Sequence, residues 1–110
     1  MISPFLQGVI MTGKILLYRL KTEACGNILS TNQVWAAEAF DKLKTIIPQI
    51  TRLETGINQN RLDWSSDFSL LVEFTSWEAI EIFDNHPAVK EAYEFMDKIS
   101  CELRLVEFFA

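Results

Sequence analysis

The sequence predicts an α+β fold in which helices cover one face of a single antiparallel sheet. Strand and helix periodicities follow one another in the order strand, helix, strand, strand, broken helix, strand. The segment DFSLLVEFT places apolar residues at every second position, as a half-buried strand does. Pro87 stands between two helical patterns and predicts a break between them. Together these observations indicate the split βαβ arrangement.

The first half of the chain contains one strand and one long helix. KILLYRLK, residues 14–21, is apolar on both faces, which predicts a strand that is covered on two sides. TEACGNILSTN follows as a linker, and Thr31 or Asn32 is suited to cap the next helix. Apolar residues then recur at helical spacing over about 33–47, and Pro48 ends this helix.

The second half contains three strands and a helix that is interrupted once. ITRLETGIN, residues 50–58, predicts a more polar strand, and DFSLLVEFT, residues 67–75, the strand that follows. A helix starts at Ser76, and a new helix begins at about Pro87, because the fixed φ of proline suits a first turn. CELRLVEFF, residues 101–109, predicts the last strand.

The charge of the chain and its few metal-ligating residues argue against a nucleic-acid partner and against a structural zinc site. The 110 residues predict one domain. The net charge is −5, and no basic stripe with interleaved aromatic residues is present, so we expect no nucleic-acid partner. A structural zinc site needs about four ligands, which Cys25, Cys101 and a single histidine do not supply. Two reduced thiols in a cytosolic protein are the favoured interpretation of the cysteines.

The first residues, MISPFLQGVIMTGK, are apolar but do not form a typical signal peptide. They lack a basic first region, and Pro4, Gln7 and Gly8 interrupt the apolar run. No segment reaches the ~20 apolar residues that a membrane-spanning helix needs. We therefore expect a cytoplasmic protein with no membrane partner.

The apolar pattern of the strands predicts a second copy as partner. The helices cover only one face of the sheet, whereas the first strand carries apolar residues on both faces. The uncovered face would be an exposed apolar patch on a single subunit. A neighbour related by a two-fold axis would bury this patch, so we expect a homodimer.

Four segments carry a resemblance to a known family. GKILLYRLK, IIPQI, SLLVEFTSWEAIEIFDNHPAV and RLVEF, in this order, resemble the stress-responsive A/B barrel family over about 13–109. The resemblance implies a ferredoxin-like βαββαβ subunit that pairs into a dimeric α+β barrel. Such chains often open with a methionine just before the first strand, where Met11 stands. Residues 1–12 are thus an N-terminal extension or an over-called start, and residues 13–110 are the A/B barrel domain.

The resemblance also bears on catalysis. Members with a known reaction resemble plant polyketide cyclases, in which a tyrosine and the second histidine of an H-P-A-H motif transfer protons. This sequence matches the motif at residues 86–88 and then departs from it. Val89 replaces the second histidine and Phe83 the tyrosine, and neither exchanges protons. Lys14 takes the place of a further histidine on the first strand. The cyclase mechanism does not carry over, and whether the chain is an enzyme stays open.

Six residues are candidates for lining a cavity or binding a ligand, namely His86, Lys14, Tyr18, Phe83, Val89 and Trp77. His86 either acts as a base or bonds main-chain carbonyls at a helix end, and the second interpretation is favoured because the proton-transfer pair is missing. Lys14 with Tyr18 either binds a small anion near the cavity mouth, or Lys14 is a solvated strand-end residue. Trp77 lines a pocket or belongs to the core.

The resemblance further implies a magnesium-like cation at the end of the first helix. The matching positions are Lys44, Ile47 and Ile50, which would contribute main-chain carbonyls. The C-terminus of a helix presents carbonyl oxygens at the negative end of its dipole, and hard cations bind such oxygens. No other cofactor is expected, since the sequence contains no dinucleotide or phosphate-binding loop motif.

These observations favour a dimeric A/B barrel protein that binds a small apolar molecule or serves in a stress response. The alternative is a cofactor-independent enzyme, either a cyclase, an isomerase or a monooxygenase, acting on a polyketide-like or aromatic substrate in the barrel cavity. A purely structural oligomer is the third interpretation. An enzyme needs a cavity with at least two convergent polar groups, a binding protein only an apolar cavity, and a structural protein neither.

Overall fold

The computed structural model describes residues 11–109 of the chain. Residues 1–10 of the predicted extension lie outside the described residues, as does Ala110. Met11 precedes the first strand, which begins at Thr12, so the strand includes the last residue of the predicted extension.

Six strands and four helices form within residues 11–109. Their order is β1 (Thr12–Leu20), β2 (Glu23–Ala24), β3 (Asn27–Ile28), α1 (Leu29–Asp41), α2 (Leu43–Ile46), β4 (Ile50–Ile57), β5 (Phe68–Phe74), α3 (Glu78–Asn85), α4 (Pro87–Ile99) and β6 (Ser100–Phe109).

The four long strands form one sheet in the order β4-β5-β1-β6. All its neighbours are antiparallel, with Lys14 of β1 opposite Val72 of β5 on one side and Glu107 of β6 on the other. β1 and β5 are the central strands and β4 and β6 the edges. This order, with the helices packed on one face, is the ferredoxin-like arrangement, so the predicted fold class is confirmed.

The core lies between the central strands and the helices. Leu16, Tyr18 and Leu20 alternate along β1 and are all buried, because alternate side chains of a strand share one face. β5 contributes every second residue in the same way. Its buried residues are Phe68, Leu70, Val72 and Phe74, and those of the helices include Phe40, Leu43, Phe83, Val89, Met96 and Ile99.

The opposite face of the sheet is left bare by the described helices. Leu17 points to this face and is 38% exposed, and Val106, which lies opposite the half-buried Ile15, is 54% exposed. The predicted apolar patch is therefore present on the subunit. β6 is exposed or half-buried along its whole length.

The first helix begins earlier than predicted and is not capped by a side chain. Ile28 is the N-cap of α1, and Thr31 and Asn32, the predicted caps, lie inside the helix. Asn32 is buried, and its amide nitrogen donates to the carbonyl oxygen of Ala24 at 3.0 Å. The Asn32 side chain, which the local sequence favoured as a helix cap, thus makes a tertiary hydrogen bond instead.

The segment predicted as a linker contains a short hairpin. β2 and β3 are joined by Cys25 and Gly26, whose φ angles are 53° and 77°. Two successive residues at positive φ are the geometry of a two-residue type I′ turn. Cysteine is not a typical residue for such a turn, so the hairpin was not predicted from the residue types.

The break between α3 and α4 falls where Pro87 predicted it. The main-chain N–H of His86 donates to Phe83 and closes α3. Pro87 then occupies the first turn of α4. An N–H at this position would have no partner within the helix, so the lack of one in proline costs no hydrogen bond. His86 thus ends one helix and precedes the next.

Candidate functional site

Lys14 is buried on the helix-facing side of β1. It shares this face with Leu16 and Tyr18, and only 4% of its surface is exposed. Lysine is almost never fully buried unless a partner compensates its charge, because transfer of an ammonium group out of water is unfavourable. The surroundings of Lys14 are therefore a candidate functional site.

Three side chains surround the Lys14 ammonium. Its Nζ lies 2.6 Å from Asp84 Oδ1, 3.1 Å from Glu107 Oε2 and 3.3 Å from the hydroxyl oxygen of Tyr93. The Lys14 ammonium donates hydrogen bonds to Asp84 and Tyr93 and forms an ion pair with Glu107. Lys14 therefore pairs with two carboxylates, which together outweigh its single positive charge. We call these four residues the Lys14 cluster.

Each partner comes from a different element. Glu107 lies directly opposite Lys14 in the pairing of β1 with β6. Asp84 is in the last turn of α3, and Tyr93 is in α4. The strand register and the break between the two helices thus bring together residues that are far apart in sequence.

Tyr93 is a proton donor in the cluster. Its hydroxyl donates to Asp84 Oδ1 at 3.1 Å, and its ring packs against Phe40 and Phe83 at centroid distances of 6.2 and 6.3 Å. Burial raises the pKa of the Tyr93 phenol far above its usual range, and the Asp84 carboxylate raises it further. The phenol stays protonated. The Lys14 ammonium also lies 5.7 Å from the centroid of this ring.

Tyr18 lies on the same face of β1 as Lys14. It is 2% exposed, and its ring packs against Phe68 at 6.4 Å. Burial, and to a smaller extent the charge of Asp97, raises the pKa of the Tyr18 phenol well above its usual range. Tyr18 is therefore a neutral member of the core beside the cluster.

The two carboxylates of the cluster border an open pocket of about 350 Å³. The Asp84 and Glu107 side chains are each about one-third exposed there. Trp77 and Ile80 form an apolar part of the wall. The lining residues are Trp77, Glu78, Ile80, Glu81, Asp84, Asn85 and Glu107. Since four of the seven are acidic, we call this the acidic pocket; it offers acceptors to a ligand and repels anions.

His86 lies at the junction of α3 and α4. Its Nδ1 accepts the main-chain N–H of Ala88 at 3.1 Å, and its carbonyl oxygen accepts the N–H groups of Val89 and Lys90, each at 3.0 Å. The ring thus caps the start of α4 by accepting an N–H, whereas the sequence had suggested bonds to carbonyls.

The other predicted site residues divide between core and surface. Phe83 and Val89 are fully buried, and Phe83 contacts Tyr93 of the cluster. Trp77 is 51% exposed and borders the acidic pocket. The structure thus brings Lys14, Phe83 and Trp77 to the region of the cluster and places Val89 in the core.

The comparison with protein families agrees with this architecture. The model of the stress responsive A/B barrel domain matches residues 13–110, nearly the whole chain. The chain belongs to the stress-responsive A/B barrel family. No curated protein matches the sequence at a significant level.

Solved structures with the same fold are similar to this A/B barrel chain at low sequence identity. A dimeric protein of unknown function with a ferredoxin-like fold from Bacteroides fragilis has a TM-score of 0.77 and 20% identity, covering 89% of this chain and 94% of its own. Hydroxynitrile lyase from Passiflora edulis has a TM-score of 0.73 and 13% identity, with coverages of 91% and 93%. A dabb family protein from Mesorhizobium loti has a TM-score of 0.64 and 16% identity, with coverages of 90% and 95%. These likenesses establish the fold.

Sequence reasoning missed three members of the site in this A/B barrel chain, namely Asp84, Tyr93 and Glu107. One signal was available, because Lys14 falls in step with Leu16 and Tyr18 on a face that had to be buried. A buried lysine needs a compensating charge, and the last strand carries two carboxylates, those of Glu102 and Glu107. Which carboxylate it would be depended on the strand register.

The magnesium-like cation stays a prediction for this A/B barrel chain. Lys44 lies in α2, Ile47 follows it, and Ile50 begins β4. The carbonyl oxygen of Ile47 accepts the N–H of Ile50 at 3.2 Å, which leaves it one lone pair for a cation. Among residues 11–109, no group of three or more His, Cys, Asp or Glu side chains is placed to hold a metal. No helix in that range is long and apolar enough to cross a membrane.

Proposed function

We propose that the protein is a homodimer that binds a small molecule in the acidic pocket, with Asp84 and Glu107 as the groups that recognise it. The observation that carries this proposal is the pairing of one buried lysine with two carboxylates. Lys14 lies against one oxygen of each carboxylate, and within the described residues Asp84 Oδ2 and Glu107 Oε1 make no hydrogen bond. Asp84 and Glu107, both paired with the buried Lys14, therefore present hydrogen-bond acceptors to a pocket that has an apolar wall.

The pocket favours a ligand with an apolar body and a hydrogen-bond donor. Trp77 and Ile80 suit an aromatic or aliphatic body. Carboxylate oxygens accept from a hydroxyl or an amine, and these charge-assisted bonds are the stronger kind. The four acidic residues around the pocket against one lysine oppose an anionic ligand.

Two observations support the homodimer. The sheet face that carries Leu17 and Val106 is apolar and is left bare by the described helices. Three solved structures of the same fold are described as dimeric, from Bacteroides fragilis, Thermobifida fusca and Jannaschia. A second copy on the bare face would bury it.

A second candidate function is a cofactor-independent lyase, supported by the free carboxylate oxygens and by the similarity to hydroxynitrile lyase. A carboxylate beside a bound hydroxynitrile would accept the hydroxyl proton as the carbonyl forms and the carbon–cyanide bond breaks. The carboxyl group would then return this proton to the departing cyanide, which leaves as hydrogen cyanide, and the carboxylate is regenerated. Phe83 and Val89 argue against the polyketide-cyclase route, because neither side chain carries a proton to transfer.

Matched aromatic probes test the binding function. Benzylamine, benzyl alcohol and benzoate share one ring and differ in the head group. We expect the amine and the alcohol to bind by titration calorimetry and benzoate not to bind. Asp84→Asn should weaken benzylamine binding about tenfold or more, since a bond to a charged group contributes ~1.5–3 kcal/mol.

Glu102→Gln is the control, because Glu102 is exposed on β6 and its carboxylate pairs with Arg104 at 3.0 Å instead of lining the acidic pocket. Benzoate binding as tightly as benzylamine, or equal affinities in wild type and Asp84→Asn, would refute the proposal. Aldehyde release from an aromatic hydroxynitrile, lost in Asp84→Asn, would favour the lyase instead.

A further inference from the structure

The loop between β4 and β5, residues 58–67, carries the most exposed large apolar side chain of the described residues. Trp64 is 82% exposed, and Leu62, two residues earlier, is 39% exposed. A partner that covers these side chains would remove a large apolar area from water, which is favourable. Tryptophan is also among the residues that contribute most to the binding energy of protein interfaces. Trp64 is therefore a candidate anchor for a partner.

Arg19 of β1 fixes the loop on both sides of Trp64. Its Nη1 donates to the carbonyl oxygens of Leu62 and Ser65 at 2.7 and 2.5 Å. The main-chain N–H of Leu62 donates to the Ser65 hydroxyl at 2.7 Å, and the N–H of Ser65 donates back to the Leu62 carbonyl oxygen at 3.2 Å. Because these bonds fix the backbone just before and just after Trp64, the indole is presented in a defined position.

A buried carboxylate fixes the base of the same loop. Asp67 is 1% exposed, and its Oδ1 accepts from Arg61 Nε at 3.0 Å while its Oδ2 accepts the main-chain N–H of Leu20 at 2.8 Å. The side chain of Gln33 in α1 donates to the carbonyl oxygen of Asp67 at 2.7 Å. A loop that is anchored in this way loses little conformational entropy when a partner covers Trp64, which favours association.

The loop borders the bare face of the sheet. Arg19, which holds the loop, lies on the same face of β1 as Leu17, because alternate side chains of a strand share one face. Leu17 of the bare face and Ser66 of the loop line the same depression of about 270 Å³. Trp64 lies two residues before Ser66, so the tip of the loop is continuous with the apolar surface that a second copy is proposed to cover.

We propose that Trp64 and Leu62 form an anchor that packs against the second copy when this copy covers the bare face. The inference rests on the proposed homodimer and deepens it, since it names residues outside the sheet that hold the two copies together. A two-fold axis would give the interface two such anchors, one from each subunit. A lipid surface suits the loop less well, because Asp63 stands between the two apolar residues and the net charge of −5 opposes anionic headgroups.

Single-tryptophan fluorescence tests the anchor. Trp35→Phe/Trp77→Phe keeps Trp64 as the only tryptophan, and Trp64→Phe/Trp77→Phe keeps Trp35, which lies on α1, as the matched control. Each is compared between the dimer and the monomer, the latter obtained by dilution or by Val106→Arg. In the dimer we expect Trp64 to emit at shorter wavelength and to be quenched by acrylamide several-fold more slowly, whereas Trp35 is quenched equally in both states.

Trp64→Ala in the otherwise native chain gives the second measurement. Because each subunit loses its anchor, the dissociation constant of the dimer should rise by about a hundredfold or more, as measured by sedimentation. Trp35→Ala should leave this constant unchanged. Trp64 is exposed in the subunit, so its replacement should leave the far-ultraviolet circular dichroism unaltered.

The outcomes separate the anchor from the homodimer. A dimer in which Trp64 is quenched as fast as in the monomer, or which Trp64→Ala leaves equally tight, overturns the anchor and leaves the homodimer standing. A wild-type chain that stays monomeric overturns both. Protection of Trp64 that persists in the monomer assigns the loop to an occupant within the same subunit. Protection that requires phosphatidylcholine vesicles assigns it to a lipid surface, and either result also overturns the anchor.

Discussion

At the scale of single residues, the Lys14 cluster places one buried positive charge between two carboxylates and a neutral phenol. Asp84 and Glu107 carry the compensating charge, and both are partly in contact with solvent. The positive charge of Lys14 is therefore buried, whereas the two negative charges are partly exposed. Removing the lysine leaves two carboxylates that water can still solvate, whereas removing the carboxylates leaves an ammonium that water cannot reach.

Loss of both carboxylates should destabilise the fold strongly. In Asp84→Asn/Glu107→Gln, the Lys14 ammonium keeps its burial without a counter-charge, and we expect the free energy of unfolding to fall by about 3–5 kcal/mol. Adding Lys14→Met should restore most of this loss, since apolar replacement of a buried ion pair is often neutral. Urea unfolding at neutral pH measures both effects. A double variant as stable as wild type would show that the cluster is not desolvated.

The two buried tyrosines predict a loss of stability in alkali. The pKa values of Tyr18 and Tyr93 are both raised by burial, whereas in the unfolded chain a phenol titrates near its ordinary value of about 10. Above that pH the unfolded state loses protons that the folded state retains. The free energy of unfolding therefore falls by up to about 1.4 kcal/mol per pH unit for each tyrosine.

An ultraviolet titration checks this prediction, because the chain has only these two tyrosines. We expect tyrosinate absorbance to appear together with loss of the circular dichroism signal, and Tyr18→Phe to reduce the pH dependence. Phenol ionisation near the ordinary pKa, with secondary structure intact, would contradict the burial of both side chains.

At the scale of elements, the junction of α3 and α4 positions Asp84 and Tyr93 relative to each other. His86 ends one helix through its main-chain N–H and caps the next through Nδ1. The ring thus stabilises the start of the helix that carries Tyr93. In this structure its role is to hold the backbone, and within residues 11–109 it makes no hydrogen bond with Lys14.

His86→Ala should lower stability without a matching loss of binding. Removal of an N-cap acceptor lowers the free energy of unfolding by about 0.5–2 kcal/mol, and His86→Asn should retain most of it because asparagine is a preferred cap. Thermal or urea unfolding gives the stability and benzylamine titration the affinity. A large drop in affinity with unchanged stability would instead assign His86 to the ligand.

Element types followed from the sequence, whereas some boundaries and the site did not. The period-two pattern of β5 and the proline at the start of α4 are local signals, and both predicted the observed element. The predicted start of α1 was wrong because Asn32 makes a tertiary hydrogen bond to Ala24, which no local sequence pattern encodes. Asp84 and Glu107 were missed for the same reason, since only the packing of α3 and the register of β6 bring them to Lys14.

At the scale of the whole molecule, the bare sheet face decides whether the subunit exists alone. Val106 on this face and Val34 on α1 are the same residue type with similar exposure, 54% and 47%. If a second copy covers the sheet, a charge at Val106 is buried in the interface and a charge at Val34 stays in water.

Val106→Arg should therefore dissociate the homodimer, and Val34→Arg should leave it intact. An unpaired charge in an interface is unfavourable because its desolvation is not compensated. Sedimentation at micromolar concentration should give twice the subunit mass of 12.7 kDa for wild type and Val34→Arg, and the subunit mass for Val106→Arg. A wild-type monomer under these conditions would refute the proposed assembly.

The three-way pairing of Lys14 also constrains how this chain can evolve. The two carboxylates cannot both be lost while position 14 keeps its cation, because the buried ammonium would then have no counter-charge. We expect homologues to vary at these three positions as a coordinated set, either keeping the cation with its carboxylates or replacing all three with neutral side chains. Covariation among them in a family alignment would record that coupling.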